Sequence, residues 1–200
     1  MSYAEAQLDR MLAGLVIPCY VVGVDLVAAK VRVTDGGDWT SAWVRWHAIA
    51  AGKARHWRAP SMGEQGVLVS PSGEPAQGTF VPGLYGNAGA PPDNRDHVEV
   101  WRFDDGGSLV YDWAANSYTI KLPTGTVNIE VGGSKAVLTD NAITAKSTAI
   151  SAEAETYTVK AAEISLQGNV KIDGALLVTL DIVGLKRIID TLGNTPNHKH

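Results

Sequence analysis

The chain has 200 residues, enough for one large domain or two small ones. Its formal charge of −4 is unevenly placed, with nine basic against thirteen acidic residues over 1–120 and eight against eight over 121–200, so neither half carries the clustered positive charge of a nucleic-acid platform. Cys19 is the single cysteine, which excludes an intrachain disulfide; with no run of about 18 apolar residues and no charged-then-apolar leader, the protein is expected to be made soluble in a cytoplasm.

Ser2-Tyr3-Ala4-Glu5 has the spacing of a capping box, and Leu8, Met11, Leu12 and Leu15 follow at helical intervals. This predicts a short amphipathic helix ending near Gly14, which either packs on its own domain or docks on a neighbouring subunit. From Val16 the period changes to two. Strands are expected at Val21–Val24, Val31–Val33, Trp39–Trp46, Gly66–Ser70 and Thr79–Leu84, separated by Asp, Gly and Pro signals. About five short strands in this span fit a small Greek-key barrel, for which the OB-fold is the natural candidate. Trp39, Trp43 and Trp46 cannot all lie in one inward row of such a barrel, so part of that surface is expected to be covered by something else. A Gly/Pro/Asn linker, Asn87–Asn94, leads to strands at Val98–Phe103, Ser108–Tyr111 and Tyr118–Leu122.

The C-terminal third lacks large aromatics: all six Trp precede residue 114, and the last Phe, Tyr or Trp is Tyr157. A seven-residue repeat runs through it, opening on Ile143-Thr144-Ala145, Ile150-Ser151-Ala152, Tyr157-Thr158-Val159 and Ile164-Ser165-Leu166. A coiled coil needs apolar first and fourth positions, but the fourth positions are Lys146, Glu153, Lys160 and Gln167. Apolar first and third positions instead mark a strand with one buried face. Three-residue strands in a single chain have little core and open edges, whereas three chains wound about one axis bury the apolar rows and pair the edges. An obligate homotrimer is the expectation, with a single-chain solenoid or sandwich as the alternative.

Val24-Asp25, Val31-Arg32-Val33, Trp43-Val44-Arg45-Trp46, the block Pro60-Ser61-Met62-Gly63-Glu64-Gln65-Gly66-Val67-Leu68-Val69 and Gly83-Leu84-Tyr85 resemble the phage baseplate assembly protein V family over most of residues 1–125. The resemblance implies a mainly β chain: an N-terminal OB-fold barrel, then an intertwined trimeric β-helix needle with a metal-bound apex. The corresponding divisions are a helix over 1–16, an OB-fold collar over 17–88, linker and transition strands over 89–122, the β-helix over 123–182 and the apex over 183–200. It further implies a non-enzymatic central tail spike located in a virion or tail-particle baseplate and assembled in the host bacterial cytoplasm. Its collar would cap the baseplate hub and tail tube, and its needle would pierce the bacterial outer membrane on sheath contraction.

Members of that family commonly end in His-x-His, with six imidazoles from three chains holding one iron ion; the matching residues are His198 and His200. Two His one residue apart in an extended chain point to the same side, and a threefold axis turns two ligands into six. An octahedral imidazole site suits Fe(II) or Ni(II) better than Zn or Cu(II), and the choice of iron rests on the resemblance. Two departures from the family pattern stand out. The sequence stops at His200, where many relatives run a few residues further, and Val183–Leu192 places Leu185, Ile188, Ile189 and Leu192 at helical spacing.

No catalytic constellation assembles. Asp35, Asp38, Asp104 and Asp105 sit beside Gly in turns, Glu64 lacks a partner carboxylate, and His47, His56 and His97 are scattered. Gly63, Gly66, Gly106 and Gly107 make no phosphate-binding pattern. Two alternatives stay open. One is an OB-fold single-strand nucleic-acid binder using Trp39, Trp43, Trp46 and Trp57 with Arg45, Lys53, Arg55 and Arg58; the other is a receptor-binding or glycan-cleaving tail fibre.

Overall fold

A computed structural model describes residues 2–185, and the chain divides into two compact units, Met1–Thr148 and Ala149–His200. The fold is mainly β. Helix α1 spans Tyr3–Leu15 and is opened by the expected capping box, with Ser2 Oγ accepting from the Glu5 backbone N–H at 3.3 Å and the Ser2 N–H donating to Glu5 Oε2 at 2.6 Å. It packs along one edge on the 3-10 turn Pro71–Gly73 of its own domain. Gly73 makes that approach possible: its φ is +71°, and a Cβ there would overlap the Met11 backbone. Leu8 and Leu12 remain more than half exposed on the other edge.

Five strands follow: β1 (Val16–Asp25), β2 (Lys30–Thr34), β3 (Val44–Trp46), β4 (Gln65–Val69) and β5 (Thr79–Leu84). They close into a barrel in the order β1-β2-β3-β5-β4, with β3 and β5 parallel and β4 returning to pair with β1. Alternation puts Cys19 and Val21 of β1, Val31 and Val33 of β2, Val44, Leu68 and Phe80 inside. A bulge between Val21 and Gly23 shifts the phase of β1, so that Val24 joins the edge of the core with Ile17, Trp39 and Trp46. Gly66 faces Phe80 at a distance no side chain could share; a Cβ would lie 2.6 Å from that ring and 2.3 Å from the Val81 carbonyl oxygen.

The expected strand Trp39–Trp46 is shortened to Val44–Trp46. Upstream, the Ser41 hydroxyl accepts the Val33 N–H at 3.0 Å and donates to the Ala42 carbonyl at 2.7 Å, while the Thr34 hydroxyl donates to the Trp39 carbonyl at 2.5 Å. Side chains occupy positions a ladder would use, leaving only the bridge Thr34↔Thr40. Trp39 and Trp46 serve the core edge, whereas Trp43 lies outside, its ring over Gly23 and 6.0 Å from the Arg32 guanidinium carbon.

Beyond the barrel come two three-stranded antiparallel sheets. The first has β7 (Ser108–Asp112) between β6 (Val98–Arg102) and β8 (Ser117–Lys121). The second has β10 (Ser134–Leu138) between β9 (Val127–Val131) and β11 (Ile143–Lys146). Residues 149–185 of the second unit carry no helix or strand. Of the four repeat triplets, only Ile143-Thr144-Ala145 lies in a strand. The expected strands at Ile150–Ala152, Tyr157–Val159 and Ile164–Leu166 are absent from the single chain, because a three-residue strand needs a hydrogen-bonding neighbour. Val183, Gly184 and Leu185 are irregular, and the rest of the helical spacing noted over Val183–Leu192 lies outside the described residues.

Candidate functional site

The β9–β11 sheet is two-faced. Register pairs Val127 with Leu138 and Ile143, and Ile129 with Ala136 and Ala145, so one face consists of Val, Ile, Leu and Ala. The other carries Asn128, Glu130, Lys135, Thr144 and Lys146 around a single apolar residue, Val137, with Lys135 Nζ and Glu130 Oε1 paired at 2.5 Å. A face this apolar is normally covered, yet Ile143 is 82% exposed and Val131 76% exposed. Ile143-Thr144-Ala145 is also the first unit of the repeat, which assigns the first and third positions to the apolar side and the intervening hydroxyl to the polar side. Along residues 149–185 the same positions, Ile150, Tyr157, Val159, Ile164 and Leu166, are all exposed. Among the described residues, the apolar positions of both β9–β11 and the repeat are therefore left uncovered.

An ion cluster fixes the linker to the first of these sheets. Arg95 reaches Asp93 at 2.8 Å and Asp112 at 3.1 Å, and His97 Nδ1 lies 3.1 Å from the other Asp112 oxygen. The Ala115 N–H, then the His97 ring and the Ala114 N–H, hold the Asp112 carboxyl below its ordinary value. Arg95, by hydrogen bonds from its side chain and backbone, holds Asp93 well below the usual carboxylate range. The alternating Asp93-x-Arg95-x-His97 pattern was a sequence signal for three of the four members of this cluster, while Asp112 could be placed only by the fold.

Other candidate residues are structural in this geometry. Asp35 and Asp105 accept the N–H groups of Gly37 and Gly107, as turn aspartates do. Glu64 is buried against Arg58 and the Ser61 N–H. Of the residues considered for nucleic acid, Trp39 and Trp46 pack on the core, Arg58 is taken by Glu64, and Arg45 donates to Thr79 Oγ1 at 2.9 Å. Among the described residues no group of three or more His, Cys, Asp or Glu could hold a metal ion, and no helix is long and apolar enough to cross a membrane. His198 and His200 lie outside the described residues.

Residues 17–85, the closed five-stranded barrel, match the model of the type VI secretion system/phage-baseplate injector OB domain. Downstream of this injector OB domain, residues 99–157 match the Gp138 β-helical trimerization domain, a span that takes in both exposed-faced sheets and the first two repeat units. The spike protein of Escherichia phage P2 is 33% identical over 115 residues, covering 57% of this chain. The chain spans 54% of that relative's length. Over these spans the chain is thus similar to an injector OB domain followed by a β-helical trimerization domain, and in part to a phage spike protein.

Proposed function

We propose that the chain is the central spike of a contractile tail, a non-enzymatic homotrimer whose injector OB domain caps the baseplate hub and whose β-helix is driven through the bacterial outer membrane on sheath contraction. The observation that carries this reading is the apolar face of β9–β11 and its continuation through the repeat. It needs two further copies to cover it, and it follows the injector OB domain in the chain after one intervening sheet. Light scattering is expected to give three times the 21.2 kDa chain mass; a monomer would remove the basis of the proposal.

At the far end, His198 and His200 would hold one iron ion between three chains. The donor set fits, since two neutral imidazoles per chain give six nitrogens on a threefold axis. A six-coordinate ion has no open position for substrate, so its contribution is to gather three chain ends into one point. Another octahedral divalent metal would satisfy the same ligands. Elemental analysis is expected to find one metal per three chains, lost in both His198→Ala and His200→Ala; metal-free protein grown with iron supplied would refute the tip.

A further inference from the structure

Strand directions give the barrel two different ends. β1, β3 and β5 run one way and β2 and β4 the other, so the chain enters β1 at one end and leaves β5 at the opposite one, bound for the linker and the β6–β8 sheet. The exit end also holds the segment 47–64, where the His56 ring lies edge-on to Trp101 of β6 at 6.1 Å. The entry end holds the connections 35–43 and 70–78 together with helix α1, which stands outside the span matched to the injector OB domain. Along α1, Leu8, Met11, Leu12 and Leu15 follow one another at helical spacing and none is buried; Leu8 is 57% and Leu12 56% exposed. The segments at this end are acidic. Glu5, Asp9, Asp35, Asp38 and Glu74 stand against a single basic side chain, Arg10, among their described residues. At the exit end the balance reverses, with Lys30, Lys53, Arg55 and Arg58 against Asp25 and Glu64.

We infer that the Leu8, Met11, Leu12 and Leu15 stripe of α1 is a docking ridge, received by an apolar groove with a lysine or arginine rim on the hub protein that the barrel caps. The inference rests on the cap proposed above and adds where that contact is made and with what chemistry. Placement carries the first part. The chain leaves for the needle from the exit end, so a protein seated on the barrel clear of the needle has the entry end to hold, and α1 is the longest element there. The four apolar residues occupy positions i, i+3, i+4 and i+7, the anchors by which an amphipathic helix fills a groove. Close backbone packing already fixes the helix to its own barrel, where a Cβ on Gly14 would lie 2.5 Å from the Gly73 carbonyl oxygen, so little order remains to be imposed on binding. Charge carries the second part and sets aside a further copy of the chain as the occupant. A threefold axis holds the same end of every barrel at one level, so a neighbour offers α1 the same acidic segments and keeps its basic ones at the far end. Like charges oppose that contact, whereas a basic rim favours it.

Photo-crosslinking in assembled tail particles separates the ridge from the cap. Benzoylphenylalanine is placed at Leu8 or at Leu12 and, as the exit-end reference, at Val27, which is fully exposed in the turn between β1 and β2. Light scattering checks that each purified variant keeps the wild-type mass, and adducts are identified by mass spectrometry. Adducts from Leu8 and Leu12 to a lysine- or arginine-bearing peptide of the hub protein, reduced severalfold by Asp9→Lys and not formed from Val27, are the expected result. Hub adducts from Val27 and not from α1 overturn the ridge and leave the cap standing. Hub adducts from neither end overturn both. An adduct from α1 of twice the 21.2 kDa chain mass assigns the helix to a neighbouring copy and overturns the ridge. A hub adduct whose yield Asp9→Lys leaves unchanged overturns the basic rim.

Discussion

Arg58 holds the buried carboxylate of Glu64 with both terminal guanidinium nitrogens, Nη2 to Oε1 at 2.5 Å and Nη1 to Oε2 at 3.0 Å, while the Ser61 N–H donates to Oε2 at 2.9 Å. The pair anchors the long segment between β3 and β4 where it re-enters the barrel, next to the Val21 N–H bond to the Glu64 carbonyl at 3.0 Å. Removing Arg58 leaves a buried carboxylate with one donor. Because the Arg58 side chain is half exposed, the cost falls below that of a fully buried pair, at about 2 kcal/mol for Arg58→Ala. Arg58→Lys is expected to recover part of it, since lysine restores charge without the two-pronged geometry. Urea unfolding of the three proteins checks the order.

Gly66 gives a second test in the same block. A methyl group there meets the Phe80 ring and the Val81 carbonyl, and the fully buried Phe80 has no space to yield. Gly66→Ala is expected to destabilise the barrel by about 2 kcal/mol, the usual cost of overpacking a core, read as a lower unfolding midpoint.

These residues show what was legible in the sequence. The Pro-x-x-Gly-Glu-Gln block was recognisable as a pattern, but its reason, a salt bridge over a glycine pressed against Phe80, exists only when β4 and β5 pair. The period-two strands, the capping box and the polar fourth positions were readable because each is local. β9 and β10 were not separately placed, although Val127–Val131 alternates and Gly132-Gly133 is a two-residue turn; the more conspicuous repeat that follows drew the reading away. Trp39–Trp43 resembled strand because its competing bonds come from Thr34 and Ser41 side chains, which periodicity does not register. Asp112 joins the Arg95 cluster across 17 residues, beyond the reach of any local spacing rule.

Acid sensitivity follows from that cluster. Asp93 and Asp112 are both held below their ordinary values in the fold. Carboxylates with lowered folded values contribute stability that is present above the unfolded value of about 3.9 and is lost as pH falls through the folded values. Thermal unfolding of the wild type is therefore expected to decline below about pH 4, and Asp112→Asn to decline less steeply over the same range. A variant with an unchanged acid limb would refute the assignment.

Burial has the opposite sign at Cys19. Desolvation pushes its thiol from 9.0 up to about 11, against a smaller lowering by a hydrogen bond to the Leu68 backbone. A raised folded value favours the neutral thiol, so this contribution is complete below the unfolded value and is lost as pH rises from about 9 towards 11. At pH 8 a disulfide reagent is expected to leave Cys19 unmodified until denaturant opens the barrel, and modification at the rate of a free thiol would contradict that core position.

The repeat allows a test in which assembly multiplies the effect. Ile150 is 69% exposed in the single chain, so in a monomer Ile150→Ala would change stability little. In a trimer the same substitution removes three buried side chains about one axis, and at 2 kcal/mol or more for each site the assembled cost is about 6 kcal/mol. The fourth positions supply the control. Lys160→Ala keeps the apolar row and removes only an exposed charge, so its trimer is expected to dissociate at the same guanidinium concentration as the wild type. A heptad coiled coil would respond differently, because its seam includes the fourth position, which Lys160→Ala would make less polar and thereby strengthen. Dissociation followed by native mass spectrometry separates these outcomes: a large loss for Ile150→Ala with none for Lys160→Ala fits strands with one inward face, while equal responses at the two positions contradict them.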